Sequence, residues 1–197
     1  LASPDEAGVA DWPLQEIVQL LGTGVSPRAS MIGPMADVVF ASMQHLTSAD
    51  LEAIAVYLKA LPQPAKPREA APPRERRLRG EVAGGQGARI YEEHCADCHG
   101  ASGLGAVAGG ATAYPALAGN RAVTMDSPAN AIQVVLAGGY PPATPGNPRP
   151  WGMPPFAHLL GDGEIAAVVS FIRGAWGNAA APVSQLQVQQ YREGRGR

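Results

Sequence analysis

Charge is scarce in this chain and nearly balanced. Charged residues make up 16% of the sequence, and 15 basic against 17 acidic side chains leave a formal charge of −2. The positive excess that sequence-independent nucleic-acid binding requires is missing, so no nucleic-acid partner is expected. Long apolar runs are missing too: no stretch approaches the roughly 20 consecutive apolar residues of a spanning helix. Leu1-Ala-Ser-Pro-Asp5 has neither a basic n-region nor an apolar h-region, so any secretion signal is expected to have been removed or to lie outside these residues. Cysteine is rarer still, with two in 197 residues. Glycine (24) and proline (19) are abundant. Such usage disfavours a coiled coil or a large regular sheet and favours short elements joined by long shaped loops.

Both cysteines fall in His94-Cys95-Ala96-Asp97-Cys98-His99. This is C-x-x-C-H, the attachment sequence for a c-type haem. Residues three and four apart share one face of a helical turn, so two thiols can bond the porphyrin vinyl groups while His99 reaches the iron. Three plainer readings compete. A disulfide between Cys95 and Cys98 closes a very small loop and stabilises little. A thioredoxin-like redox pair calls for a strand and a βαβ pattern that the surrounding residues lack. Zinc calls for well-spread ligands, whereas His94, Cys95, Cys98 and His99 crowd together with no second pair elsewhere. One covalently attached haem c is therefore the expected cofactor.

The periodicity predicts a short helix within Ala83–His99, then a tight Gly/Ala loop over 100–110. Ser127-Pro128 reads as a helix start with Ser as N-cap, Ile132, Val135 and Leu136 as its apolar stripe, and Gly138-Gly139 as its stop. Prolines 141, 142, 145, 148, 150, 154 and 155 forbid a regular element between Tyr140 and Pro155. Asp162 is expected to cap a helix lined by Ile165, Val168, Val169 and Ile172 and ending near Gly177-Asn178. Upstream the plan repeats: Leu14 to Gly24 parallels Ala129 to Gly139, and Thr47-Ser-Ala-Asp50 is capping-box-like. Leu51, Ile54, Ala55 and Leu58 then match the later helix. Gly33-Pro34-Met35 parallels Gly152-Met153-Pro154. Four segments are expected: 1–61, an incomplete half-domain lacking C-x-x-C-H; 62–79, a Pro-rich charged linker; 80–178, a haem domain; and 179–197, a tail. Arg74, Arg76, Arg77 and Arg79 in the linker read as a solvated hinge, with docking on an acidic partner or anionic lipid as the alternative. The tail is too short and polar to anchor alone, leaving docking on a partner or disorder.

The second axial ligand decides between electron carrier and catalyst. A thioether keeps water and oxygen off iron and raises its reduction potential, whereas a histidine lowers it. The candidates after the motif are Met125, Met153 and His158. Met153 is favoured, because Pro150, Pro154 and Pro155 stiffen its loop and leave little entropy to lose when the sulfur is fixed. Met35 occupies the matching place upstream. His45 and His94 read as surface or core residues. Within Tyr114-Pro115-Ala-Leu117 a carbonyl is placed to accept the axial imidazole proton. Arg121, Tyr140 and Trp151 are propionate-binding candidates, with plain packing or exposure as the alternative. Leu104, Leu117, Val135, Leu136, Phe156, Ile165 and Val169 are the expected apolar wall, and Trp151, Pro154 and Phe156 an apolar docking rim.

Cys95-Ala-Asp-Cys98-His99, Tyr114-Pro-Ala-Leu-Ala-Gly-Asn120, Gly139-Tyr-Pro-Pro142 and Gly146-Asn-Pro-Arg-Pro-Trp-Gly-Met-Pro-Pro-Phe156 together make residues 80–178 resemble a class I cytochrome c domain. They are similar to the last haem domain of the multihaem cytochrome c subunit of bacterial membrane-associated alcohol and aldehyde dehydrogenases. Residues 12–61 resemble the end of the preceding domain of that subunit. The resemblance implies an all-α fold of short helices around haem, preceded by an incomplete cytochrome-c-like half-domain. Cys95 and Cys98 would carry thioethers, His99 the proximal bond and Met153 the distal one, with Pro115, Arg121 and Trp151 also contacting the cofactor. Met35 would ligate a second haem on the upstream half. The implied function is electron transfer, not catalysis: single electrons pass from a periplasmic dehydrogenase partner to another haem, a quinone or an oxidase. The expected location is the periplasm, at the outer face of the cytoplasmic membrane, with any membrane association arising through the partner or other segments. The alternatives are a haem enzyme with a labile sixth ligand, reducing peroxide or oxidising a sulfur compound, and a free single-haem carrier with an N-terminal interaction module.

Overall fold

A computed structural model describes residues 8–62, 85–108 and 111–194. The linker from residue 63 onward, including its arginines, lies outside them. The upstream half holds α1 (Leu14–Thr23), a ribbon of β1 (Val25–Ser26) and β2 (Ala29–Ser30), α2 (Pro34–Ala41), a 3-10 turn over Met43–His45, and α3 (Ser48–Ala60). The downstream half holds α4 (Gln86–His94), α5 (Ala96–His99), a ribbon of β3 (Ala106–Ala108) and β4 (Ala111–Tyr114), α6 (Arg121–Thr124), α7 (Ala129–Ala137), α8 (Asp162–Gly174) and α9 (Gln185–Arg192). The fold is mostly helical, as expected. The two antiparallel ribbons were not expected: each is a pair of very short strands, below the length at which alternation can be read from sequence.

Each half has its own apolar core. Upstream, Ile17 and Leu20 of α1 bury against Val9, Trp12 and Ala55. Gly24, in the left-handed region at φ 76°, stops α1 and donates its N–H to Leu20 O at 2.8 Å. Lys59 Nζ fastens α3 to the incoming chain by donating to Ala10 O and Trp12 O, at 2.9 and 2.6 Å. The capping box forms as expected: Thr47 Oγ1 accepts from Asp50 N, and Asp50 Oδ2 accepts from Thr47 N, both at 3.2 Å.

Downstream, α8 is the central element. Ile165 and Val169 are fully buried among Ile90 and Tyr91 of α4, Ile132, Val135 and Leu136 of α7, and Val188 of α9. Tyr91, Phe171 and Trp176 cluster, with ring centroids 4.8 to 5.4 Å apart. Gly87 lets α4 and α8 touch backbone to backbone, since a Cβ there would sit 2.2 Å from Ala167 O. Arg173 is buried and donates Nε to Ala181 O and Nη1 to Val123 O, at 2.9 and 2.7 Å. Its charge therefore satisfies carbonyls where the chain leaves α8 and α6.

Several boundaries depart from the sequence reading. Helix α8 is capped from within: Gly161 precedes it and donates its N–H to Glu164 Oε2 at 2.8 Å, while Asp162 pairs with Arg192 at 2.6 Å. It ends at Gly174, earlier than expected, and Trp176 at φ 52° and Gly177 at φ 84° turn the chain away. Helix α7 begins one residue late, with Pro128 ahead of it and Ser127 Oγ accepting from Ala129 N at 3.4 Å. Over 185–192 the tail is neither disordered nor free: Ser184 caps α9, Val188 is fully buried, and the helix docks on this chain's own core. Leu104, expected in the apolar wall, is 69% exposed. It lies between Gly103 and Gly105, both at positive φ, and Trp176 packs against Gly103 instead.

Gly87→Ala is expected to lower stability by about 2–3 kcal/mol, because a backbone carbonyl cannot yield as a side chain can. Denaturant unfolding of the two proteins checks this, and equal midpoints would show that α4 and α8 can separate freely.

Candidate functional site

The motif does not continue α4. Cys95, at φ −125° and ψ −33°, breaks the helix and starts a new turn: its carbonyl accepts from Cys98 N at 3.2 Å and from His99 N at 2.9 Å. That single turn presents Cys95, Cys98 and His99 together. Both cysteines are partly buried free thiols, and Cys95 packs against the downstream core. Burial, with Cys98 beside it, pushes the Cys95 thiol up to about 11. A redox-active or metal-binding thiol needs the opposite shift, toward thiolate. Among the described residues no three His, Cys, Asp or Glu side chains group to hold a metal ion. Cys95, Cys98 and His99 on one turn suit a haem bonded through two sulfurs with the imidazole beside it.

His99 is oriented by one bond. Its Nδ1 lies 3.0 Å from Pro115 O. A carbonyl can only accept, so Nδ1 carries the proton and Nε2 keeps its lone pair. Burial lowers the His99 pKa, against the smaller opposing pull of the Pro115 carbonyl, and so favours the neutral ring. The loop after the motif brings Pro115 into place. Gly105 donates its N–H to His99 O at 2.9 Å, and Gly103 O accepts from Leu117 N and Ala118 N at 2.7 and 2.9 Å. At Gly105, φ 72°, a Cβ would sit 2.3 Å from Tyr114 O, so only glycine lets these stretches of chain approach.

Met153 is held by its backbone. It exchanges two hydrogen bonds with Gly139: Met153 N to Gly139 O at 2.8 Å and Gly139 N to Met153 O at 3.0 Å. Just beyond it, Phe156 N and Ala157 N donate to Val135 O and Leu136 O, at 3.0 and 3.2 Å. The Met153 segment is thereby laced to the C-terminal turn of α7. Gly138, at φ 65°, has no room for a Cβ, which would lie 2.3 Å from Met153 O. The half-buried Met153 packs on the same core as Cys95, Leu117 and Phe156.

Rings connect the two sides: His99 to Tyr114 at 6.4 Å between centroids, and Tyr114 to Trp151 at 5.6 Å. Trp151 is nonetheless 55% exposed, and Tyr140 lays its ring over Gly152, where a Cβ would meet it at 2.1 Å. Arg121 stands elsewhere than expected. Its Nη1 donates to Gly8 O at 2.7 Å and its Nη2 pairs with Asp11, so its guanidinium ties down the upstream chain. Met125 Sδ accepts from Asn130 Nδ2 at 3.5 Å, and His158 is exposed on the turn before α8. Met35 differs from Met153 in setting: it lies in the first turn of α2 and is half exposed, because Pro34 starts a helix there. The Gly139 pairing and the Tyr114 ring bridge were not read from sequence; the glycines at 138, 139 and 152 were the available signal for the first.

Gly138→Ala is expected to lower stability by about 2 kcal/mol, from left-handed strain and the clash with Met153 O. Denaturant unfolding measures it, and an unchanged midpoint would mean that the Gly139–Met153 pairing is dispensable.

The sequence model of the cytochrome c family matches residues 85–176. The chain is 36% identical over 196 residues to the cytochrome c subunit of the quinone alcohol dehydrogenase of Gluconobacter oxydans (strain 621H), covering 98% of this chain and 40% of that protein. It is 34% identical over 199 residues to the gluconate 2-dehydrogenase cytochrome c subunit of Pantoea cypripedii, covering 98% and 44%. To the fructose dehydrogenase cytochrome subunit of Gluconobacter japonicus it is 30% identical over 214 residues, covering 98% and 43%. The chain thus spans about two-fifths of the length of these relatives.

Proposed function

Because residues 85–176 form a cytochrome c domain, we propose that this chain is an electron-transfer subunit that carries one haem c and serves a dehydrogenase. Cys95 and Cys98 would hold the haem as thioethers, and His99 Nε2 and Met153 Sδ would ligate its iron. The observation that carries this reading is the 3.0 Å contact of His99 Nδ1 with Pro115 O, which leaves Nε2 as the nitrogen that can donate to a metal. When bound, the iron supplies reversible one-electron chemistry. The chain's own residues do no proton transfer. They orient the imidazole, hold a thioether that raises the potential and keeps water off the metal, and wall the site with Leu117, Val135, Leu136 and Phe156. Trp151, exposed beside Tyr114, marks the rim where a redox partner approaches the site.

The proposed donor is a dehydrogenase subunit, by analogy with the relatives that are cytochrome subunits of alcohol, gluconate and fructose dehydrogenases. The acceptor is another haem, a quinone or an oxidase. The proposed location is the periplasm, at the outer face of the cytoplasmic membrane, since covalent haem is attached outside that membrane in bacteria. Among the described residues no helix is long and apolar enough to cross a membrane, so association there runs through partners or other segments. For residues 1–61 the proposal is a half-domain that meets a second haem through Met35. Supporting it, Met35, Phe40, Val56 and Tyr57 are all at least 50% exposed, large apolar side chains that this chain leaves uncovered. An interaction module for a separate haem-bearing chain is the second reading of the same surface. A haem enzyme with a labile sixth ligand is disfavoured by the backbone lacing of the Met153 segment.

The ferric protein is expected to show the weak red absorption band of a methionine–iron bond, lost in Met153→Ala with the haem retained. Cys95→Ser with Cys98→Ser is expected to abolish covalent haem by intact mass. A band that survives Met153→Ala would overturn the ligand assignment, and a mass without haem in the unaltered protein would overturn the function.

A further inference from the structure

The segment that ends in Met153 is pressed against the upstream half along most of its length. Pro142 is buried with its ring on Gly24, where a Cβ would lie 2.2 Å from Pro142 Cγ. Buried Thr144 donates Oγ1 to Thr23 O at 3.3 Å. Gly146 abuts Thr23, since a Cβ there would meet Thr23 Cγ2 at 2.4 Å, and Ile32 lies against Gly139, the backbone partner of Met153, at 3.3 Å by the same measure. Between these points the chain is a closed turn, in which Thr144 N donates to Asn147 O at 3.2 Å and Asn147 N to Thr144 O at 2.9 Å. Asn147 Nδ2 adds a bond to Pro142 O at 3.5 Å. The turn thus has internal bonds of its own, but what it rests on is the end of α1.

Resting on the reading of Met153 as the axial ligand, we propose that the upstream half positions that ligand: Thr23, Gly24 and Ile32 form a seat for the 139–147 chain, and Thr144 and Gly146 are the residues that register it. Met153 has a proline-rich segment on its N-terminal side with no regular structure to brace it. The Gly139 pairing, the contacts of Trp151 with Tyr114 and of Tyr140 with Gly152, and this seat together restrain that side. Loosening the seat raises the fraction of molecules in which the thioether is off the metal, and that fraction sets how readily an added ligand enters. The residues around Thr23 therefore govern access to the iron without touching it.

Imidazole added to the ferric haem-loaded protein reads this fraction directly, because it binds only where Met153 has let go. Thr144→Val removes the hydrogen bond at constant shape. Gly146→Ala, at a position that carries no positive φ, wedges the turn away from Thr23 without backbone strain. Each is expected to tighten imidazole binding roughly three- to tenfold, the worth of one hydrogen bond or a mild clash. Thr144→Ser, which keeps the donor, is expected to match the unaltered protein. Thr23→Ser removes the methyl that the new Cβ meets, so Thr23→Ser with Gly146→Ala is expected to return toward the unaltered affinity, a coupling that a general loss of stability would not produce. Unchanged affinity in both Thr144→Val and Gly146→Ala overturns the proposal, as does a Gly146→Ala effect that Thr23→Ser fails to relieve. Met153→Ala separates the two levels: if it binds imidazole no more tightly than the unaltered protein, the ligand reading itself has failed.

Discussion

The bond between His99 Nδ1 and the Pro115 carbonyl is the constraint on which the site depends. It fixes which nitrogen holds the proton, and so which one is free to donate to a metal. It also fixes where the 114–118 chain must run, and Gly105 stands in that loop because nothing larger lets the two stretches approach. Once Pro115 is placed, Tyr114 stands between His99 and Trp151, which carries the constraint across to the segment that bears Met153. One carbonyl thus couples the motif to the far side of the site through contacts that are otherwise modest.

The site is built from close approach, not from charge. Its organising contacts are backbone to backbone: Gly105 on Tyr114, Gly138 on Met153, Gly87 on Ala167. Each brings two segments nearer than any side chain would permit, and each is then sealed by ordinary hydrogen bonds or apolar burial. Three arginines of the downstream half serve elsewhere. Arg121 ties down residues 8–11, Arg192 pairs with Asp162, and Arg173 satisfies buried carbonyls. A site that only exchanges electrons has no need of a titrating side chain near its metal, and it benefits from ligands that do not move.

Helices α1, α3, α7 and α8 were legible in the sequence because their apolar residues recur at helical spacing and their ends carry strong stop or start residues. The Met153 loop was legible for a different reason, since its prolines exclude a regular element, and the Pro115 carbonyl from its place in the stretch after the motif. Cys95 as a helix break was not legible: nothing in Tyr91-Glu-Glu-His-Cys95 disfavours a continuing helix, and the break comes from packing Cys95 on the core. The capping of α8 misled for a related reason. Asp162 and Glu164 both suit a first turn, and only the tertiary pull of Arg192 on Asp162 decides which carboxylate caps. Arg121 looked like an anion partner because its role, a bond to Gly8 some 113 residues away, leaves no local trace. Met35 shares the Gly/Pro flanks of Met153, yet Pro34 falls at a helix start and Pro154 in extended chain. The residues C-terminal to each methionine set that difference, and the flanks themselves do not encode it.

The C-terminal end of α1 serves as a floor for the 139–147 chain of the downstream half. A helix terminus suits that use. Its last carbonyls have no partner inside the helix and must be satisfied from outside, and Thr23 O accepts from Thr144 while Gly24 leaves space for a proline ring. The need of α1 for a partner at its C-terminus and the need of the 139–147 chain for a brace are met by the same contact. On the proposed role of Met153, the upstream helices serve the site by bracing the chain that leads to it.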